Sequence, residues 1–285
     1  MKTISLRSPR RWLIGAALGI AALGGCNSLD AQQRKWIFAP AKQTWWAGPA
    51  TSAGVAEVWV DFDSKHSGAA GRLHGFWLPG AREDSPALLY LHGARWDVTG
   101  SLSRMRRMNE LGFAVLGIDY RGFGKSGDEL PSEQFVYEDA RAAWDYLARV
   151  YPARPRYIFG HSLGGAIAVH LATEVSDAAG LVVEGAFTSV ADVFGTFRFG
   201  WLPVSALITQ RFDAAGKIGR VKTPVLVVHG SNDRMIVPEL GRALYDKAPE
   251  PKRFVLVEGG SHHNTNAVGQ PLYREAMRDL FKLPL

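Results

Sequence analysis

A doubly wound α/β sheet is the fold class that the sequence predicts, on three observations. Short apolar runs recur between residues 55 and 258, and the later ones are separated by stretches of helical periodicity. The run at 87–91 is apolar without alternation, as a strand covered on both faces must be. Gly160-His161-Ser162-Leu163-Gly164 joins an apolar run (156–159) to a small, apolar one (165–172), so it lies at a strand-to-helix turn.

The elements follow in order. Residues 55–62 alternate and 73–78 are apolar before the turn at Pro79-Gly80, which predicts an antiparallel edge hairpin. After the buried strand at 87–91 comes a polar, arginine-rich helix at 102–111, in which Arg104, Arg106 and Arg107 read as a solvated face. A buried strand at 113–118 leads into Asp119-Tyr120-Arg121-Gly122-Phe123-Gly124-Lys125-Ser126-Gly127, a glycine-rich loop without the Walker spacing, which argues against a nucleotide site. An amphipathic helix at 135–151, with Val136, Ala140, Ala143, Trp144 and Leu147 on one face, precedes the strand that ends at the serine turn. Strands are expected at 181–184, 224–228 and 254–258, and helices at 238–248 and 271–281, giving eight strands joined by right-handed crossovers. Between about 188 and 220 the pattern loosens into Phe194, Phe197, Phe199, Trp201, Leu202, Pro203 and Leu207, an apolar insertion at the sheet's carboxyl edge that reads as a cap.

At 285 residues and 47% apolar, the chain can fill the core of one large α/β domain or two small ones. Its amino terminus has another character. Lys2, Arg7, Arg10 and Arg11 precede an uncharged run from Trp12 to Leu23, too short to span a bilayer as a helix, and this describes an export signal over residues 1–25. Leu23-Gly24-Gly25-Cys26 resembles the lipobox of bacterial lipoproteins, and Cys26 is the only cysteine. That resemblance implies a lipidated Cys26, a membrane-attached protein in the cell envelope and, with Asn27 following, the outer membrane if the cell has two. Residues 26–54, with Trp36, Phe38, Trp45 and Trp46 among Ala, Gly and Pro, read as an irregular anchor arm whose aromatic residues pack in the core, with membrane-interface or substrate contact as the alternative. The net charge of +6 falls to +2 without the signal, and no nucleic-acid surface is indicated.

The chemistry centres on Ser162. A serine hydroxyl is a weak nucleophile that needs a base within hydrogen-bond reach and a third group to fix the base's tautomer. Glycines two residues either side allow a turn in which a β-carbon would clash, and the turn holds the hydroxyl at a helix amino terminus. Later in the chain, Asp233 follows a strand, and His262-His263 follow the next one. Parallel strands bring these loops to one edge. Glu184, also past a strand end, is the alternative acid, and a cap on the helix near Pro238 is the alternative task for Asp233. His92 and His161 read as satisfied loop residues; His66, His74, His170 and His229 show no metal-ligand spacing, so neither metal nor cofactor is expected.

From residue 55 to the end the chain resembles the α/β-hydrolase superfamily. Leu91-His92-Gly93, the 119–126 segment and Gly160–Gly165 resemble its branch of membrane-associated hydrolase-domain and serine-aminopeptidase-like proteins. The resemblance implies an eight-stranded, mostly parallel sheet with helices on both faces and a small cap. It also implies Ser162 as nucleophile, Asp233 as acid, His262 as base in preference to its neighbour His263, and the amides of Ala94 and Leu163 as oxyanion donors. The expected activity is hydrolysis of an ester, thioester or amide in a small-molecule or acylated substrate through an acyl-enzyme. Peptidase action on short peptides and a scaffold without turnover are the alternatives.

Overall fold

The computed structural model describes residues 28–42, 54–197 and 204–283. Eight strands form one sheet in the order β1-β2-β4-β3-β5-β6-β7-β8: β1 (Ala56–Asp63), β2 (Ala70–Leu78), β3 (Ala87–Leu91), β4 (Ala114–Ile118), β5 (Arg156–His161), β6 (Ala178–Glu184), β7 (Val225–Gly230) and β8 (Lys252–Val257). β1 and β2 pair antiparallel and β2 joins β4 antiparallel, while the pairs from β4 across to β8 are all parallel. The expected edge hairpin and buried parallel centre are both present.

A helix at 28–38 (α1) precedes the sheet. Next come α2 (Leu102–Glu110), α3 (Glu133–Val150), α4 (Leu163–Glu174), α5 (Val190–Gly195), α6 (Pro238–Lys247), α7 (Thr265–Val268) and α8 (Gln270–Phe281). The strand residues feed two cores, one on each face. Ala87, Leu89 and Leu91 pack with the apolar sides of α3, α4 and α6, whereas Leu88 and Tyr90 pack with Met105 and Met108 of α2 and Tyr273 and Met277 of α8. Every side chain of β3 is fully buried. At about 1.5–3 kcal/mol for each large apolar side chain removed from water, this strand and its neighbours hold the frame that carries the site. No described helix is long and apolar enough to cross a membrane.

Two expectations need correction. Residues 28–38 are helical rather than irregular: the run from Ser28 to Phe38 contains no glycine or proline, and the helix stops just before Pro40. This helix is docked on the domain. Gln33 donates to the Leu207 carbonyl at 2.7 Å, Gln210 donates to Asp30 at 2.8 Å, and Phe38 lies fully buried, edge-on to Phe212. Trp36, expected in the core, is 69% exposed, because it shares the outer face of α1 with Leu29. The second correction concerns Arg104, which lies not on a solvated face of α2 but buried against Glu184. Its neighbours Leu102, Met105 and Met108 face the same core. Cys26, Trp45 and Trp46, together with Phe199, Trp201, Leu202 and Pro203 of the cap, lie outside the described residues.

The 119–127 loop is held by its arginine. Arg121, fully buried, donates to Asp139 at 2.7 Å, to Ser64 at 2.9 Å and to Glu138 at 2.6 Å, and Asp139 is equally buried. Removing one partner of such a pair strands a charge. Arg121→Met is therefore expected to cost about 3–5 kcal/mol in urea unfolding. A loss below about 1 kcal/mol would show that the loop is held otherwise.

Candidate active site

The turn after β5 is as sharp as the glycine spacing requires. Ser162 has φ +56°, in the left-handed region that a side chain makes costly. A β-carbon on Gly160 would lie 2.1 Å from the Gly164 carbonyl oxygen, and one on Gly164 would lie 2.2 Å from that of Leu91. Only glycine fits at either position, and the approach brings the β3 loop against the start of α4. The Ser162 N–H donates to the Glu184 carbonyl at 2.9 Å, which fixes the turn to the end of β6.

Two loops meet the serine from the far half of the sheet. His262 follows β8, with Nε2 3.0 Å from Ser162 Oγ and Nδ1 2.8 Å from Asp233 Oδ2. A carboxylate only accepts, so Nδ1 carries the proton and Nε2 is left to accept from the serine hydroxyl. The other carboxylate oxygen of Asp233 accepts the amides of Met235 and Ile236, both at 2.9 Å. Asp233 thus also organises the turn before α6 but does not cap that helix, whose N-cap is Val237 without a side-chain bond. Burial alone would raise its carboxyl. The hydrogen bonds of His229 and His262, the charge of His262 and the Ile236 amide outweigh burial and hold it well below the usual carboxylate range.

The alternatives are separated by place. His263 does not take the serine: its ring lies across that of His262 and reaches Trp96. Glu184 faces Arg104 and Tyr273 instead of the imidazole. His161 Nε2 donates to the His262 carbonyl at 3.0 Å, and burial, aided by the Arg104 charge, holds its pKa well below the ordinary value, so the ring is neutral. His92 Nδ1 donates to the Gly93 carbonyl at 2.7 Å, and its carbonyl accepts from Tyr120 at 3.0 Å. Burial lowers its pKa as well.

A cavity of about 450 Å³ opens over Ser162. It is lined by the loop after β3, including Ala94, Arg95 and Trp96, by Ser103 and Arg104 at the start of α2, and by Met235 and His263. Leu163 directly follows the serine as the first residue of α4. Ala94 lines the cavity from the β3 loop, and Leu163 adjoins the serine in sequence. No described residue between 188 and 220 lines this cavity. Sequence reasoning missed Arg104 and the wall built from α2, because the partner of Arg104 lies 80 residues away and nothing local to α2 marks it. Among the described residues, no group of three or more His, Cys, Asp or Glu side chains could hold a metal ion.

Comparison with known proteins gives a consistent set. The family described as serine aminopeptidase, S33, matches residues 83–218. An uncharacterised protein of Mycobacterium tuberculosis is 35% identical over 280 residues, covering 96% of both chains. Lysophosphatidylserine lipase ABHD12 of Danio rerio is 29% identical over 59% of this chain and 48% of its own. Alpha/beta hydrolase domain-containing protein 17B of Homo sapiens is 30% identical over 66% of this chain and 64% of its own. Among solved structures, the fold is similar to that of Est1E from Butyrivibrio proteoclasticus (TM-score 0.65, 19% identity, 79% of this chain and all of that one). A puromycin-hydrolyzing peptidase of Mycobacterium tuberculosis is also similar (TM-score 0.63, 19% identity, 82% of this chain and 40% of that one).

The electrostatics of Asp233 set a pH dependence of stability. Its folded-state pKa lies below the unfolded value of about 3.9, so its stabilisation is complete above that value and is lost as pH falls towards the folded one. Urea midpoints of the wild type are expected to fall more steeply between about pH 4 and pH 2 than those of Asp233→Asn. Parallel slopes would contradict the assignment.

Proposed function

The chain belongs to the α/β-hydrolase superfamily, and from that premise we propose that it is a serine hydrolase in which Ser162, His262 and Asp233 act as a triad on an acyl substrate. One observation carries the reading: a serine hydroxyl, an imidazole and a carboxylate in hydrogen-bond sequence at 3.0 Å and 2.8 Å, beside a cavity with room for a substrate.

Ser162 Oγ attacks the acyl carbon while its proton passes to His262 Nε2, and Asp233 holds the resulting imidazolium in place. The carbonyl oxygen becomes an oxyanion between the Ala94 and Leu163 amides, each such donor being worth about two to three orders of magnitude in rate. His262 returns the proton to the leaving group as the carbon–heteroatom bond breaks. Water, deprotonated by the same imidazole, then releases the acid and restores the serine.

The lining of the cavity favours an ester or thioester over an aminopeptidase substrate. A free α-ammonium group needs an acceptor carboxylate near the scissile bond. Among the described lining residues the one carboxylate is Asp97, which is buried and already engaged; Arg104 is neutralised by Glu184, and Arg95, which is exposed, supplies positive charge. Such a wall suits a neutral or anionic acyl substrate. The scaffold alternative is disfavoured by the formed hydrogen-bond chain, since a binding protein has no need of an aligned base.

Attachment to a membrane of the envelope through Cys26 is part of the same reading. Its support is the lipobox-like Leu23–Cys26 segment and the exposed Leu29 and Trp36 on the first helix after it. Cys26→Ser is expected to shift the protein from the detergent phase to the aqueous phase on Triton X-114 partitioning, and an unchanged distribution would argue against the anchor.

For the chemistry, a fluorophosphonate probe is expected to label the wild type and not Ser162→Ala, whose kcat should fall by about six orders of magnitude. Turnover of p-nitrophenyl acyl esters is expected to exceed that of aminoacyl p-nitroanilides. The reverse preference would favour the peptidase, and an unlabelled folded wild type would favour the scaffold.

A further inference from the structure

Glu184 touches the site in two ways. Its backbone carbonyl accepts the N–H of Ser162 at 2.9 Å, and its carboxylate, 1% exposed, lies beneath the neighbouring loops. One carboxylate oxygen accepts Arg104 Nε at 2.7 Å and the other accepts the hydroxyl of Tyr273. Arg104 then continues across the gap: its Nη2 donates to the His263 carbonyl at 3.2 Å and reaches that of His262 at 3.5 Å. His161, next to the nucleophile, donates to the same His262 carbonyl at 3.0 Å. A bonded path therefore runs from the backbone of the nucleophile through Glu184 and Arg104 to the backbone of the base.

A buried ion pair is a poor way to gain stability, since an apolar pair of the same size often does as well or better. What the guanidinium adds is its rigid fork of donors, which satisfies a carboxylate on one side and loop carbonyls on the other. Other bonds hold the ends of this loop, the Gly259 amide donating to Ser231 Oγ at 2.9 Å and the Ser261 amide to Asn264 Oδ1 at 2.7 Å, while Arg104 and His161 reach the carbonyl of His262 itself. His262 lies in a turn between β8 and α7, and Gly259 and Gly260 precede it. Nothing in β8 itself sets the distance from the imidazole to the serine, which must stay near 3.0 Å.

On the reading of His262 as the base, we propose that Arg104, braced by Glu184 and Tyr273, is a positioning residue that fixes the His262 loop relative to Ser162. Arg104 acts through the His262 backbone and exchanges no proton with substrate. A base displaced by about 1 Å can lose on the order of 100-fold in rate, so the effect falls on kcat and on the rate at which the serine is acylated.

The test uses the full chain and two variants. Arg104→Gln combined with Glu184→Gln removes both charges and leaves neither stranded. Arg104→Lys keeps the charge opposite Glu184 but loses the fork that reaches the carbonyls. Melting temperature, kcat and KM on a p-nitrophenyl ester, and the rate of fluorophosphonate labelling are measured for each. The double-amide variant is expected to lose about 10- to 100-fold in kcat and labelling rate with KM nearly unchanged, and Arg104→Lys to lose about tenfold. Placed on a His262→Ala background, the double-amide change is expected to alter the residual rate by less than about twofold, because groups that act as a unit are not additive. A folded variant of either kind with wild-type kcat overturns the inference. So does a rise in KM at unchanged kcat, or a full additional loss on the His262→Ala background, since either means that Arg104 acts elsewhere. A wild type that takes no label overturns the hydrolytic reading and this inference with it, whereas a labelled wild type with full-rate variants overturns this inference alone.

Discussion

The hydrogen bond from Ser162 Oγ to His262 Nε2 joins residues 100 apart in sequence, and the rest of the site is arranged so that it can form. Neither partner lies in a regular element. The serine sits in a left-handed turn between β5 and α4, and the histidine sits in the turn between β8 and α7. The contact is defined only because each turn is tied to something rigid. For the serine this is β6, through the Glu184 carbonyl, and for the histidine it is Asp233, His161 and Arg104.

The sheet makes this possible by its parallel register. β5, β6, β7 and β8 are neighbours in that order, so Glu184 at the end of β6 and the loops that carry Ser162, Asp233 and His262 lie side by side at the carboxyl edge. β5 and β7 are buried along their whole length and β6 from Gly180 to Glu184, which fixes these strands within the sheet. Close glycine contacts at 160 and 164 let the β3 loop press against the start of α4, next to the turn that carries Ser162. Strain at Ser162 is tolerated because packing on both faces of the sheet surrounds the turn.

Much of this was legible in the sequence, because it depends on local patterns. The strand at 87–91 and the helix starting at Pro238 are as read, for continuous burial and a proline at the first helical position leave clear marks. Ser162, Asp233 and His262 could be nominated because each follows a strand in the expected order. What was not legible depends on partners far along the chain. Arg104 looks solvated in a helix with three arginines, and only the fold reveals Glu184 beneath it. The helix at 28–38 was hidden by the glycines and prolines after it, which dominate the composition of the segment as a whole. α5 and α7 are a turn or two long, too short for periodicity to register.

The proposed chemistry has a direct spatial consequence for the first intermediate. A crystal structure of the wild type after reaction with a fluorophosphonate would place the phosphonyl oxygen where the oxyanion forms. The expected adduct has phosphorus bonded to Ser162 Oγ and that oxygen within about 2.7–3.1 Å of the amide nitrogens of both Ala94 and Leu163. An adduct whose oxygen faces away from both amides, or a phosphonate on any residue other than Ser162, would contradict it.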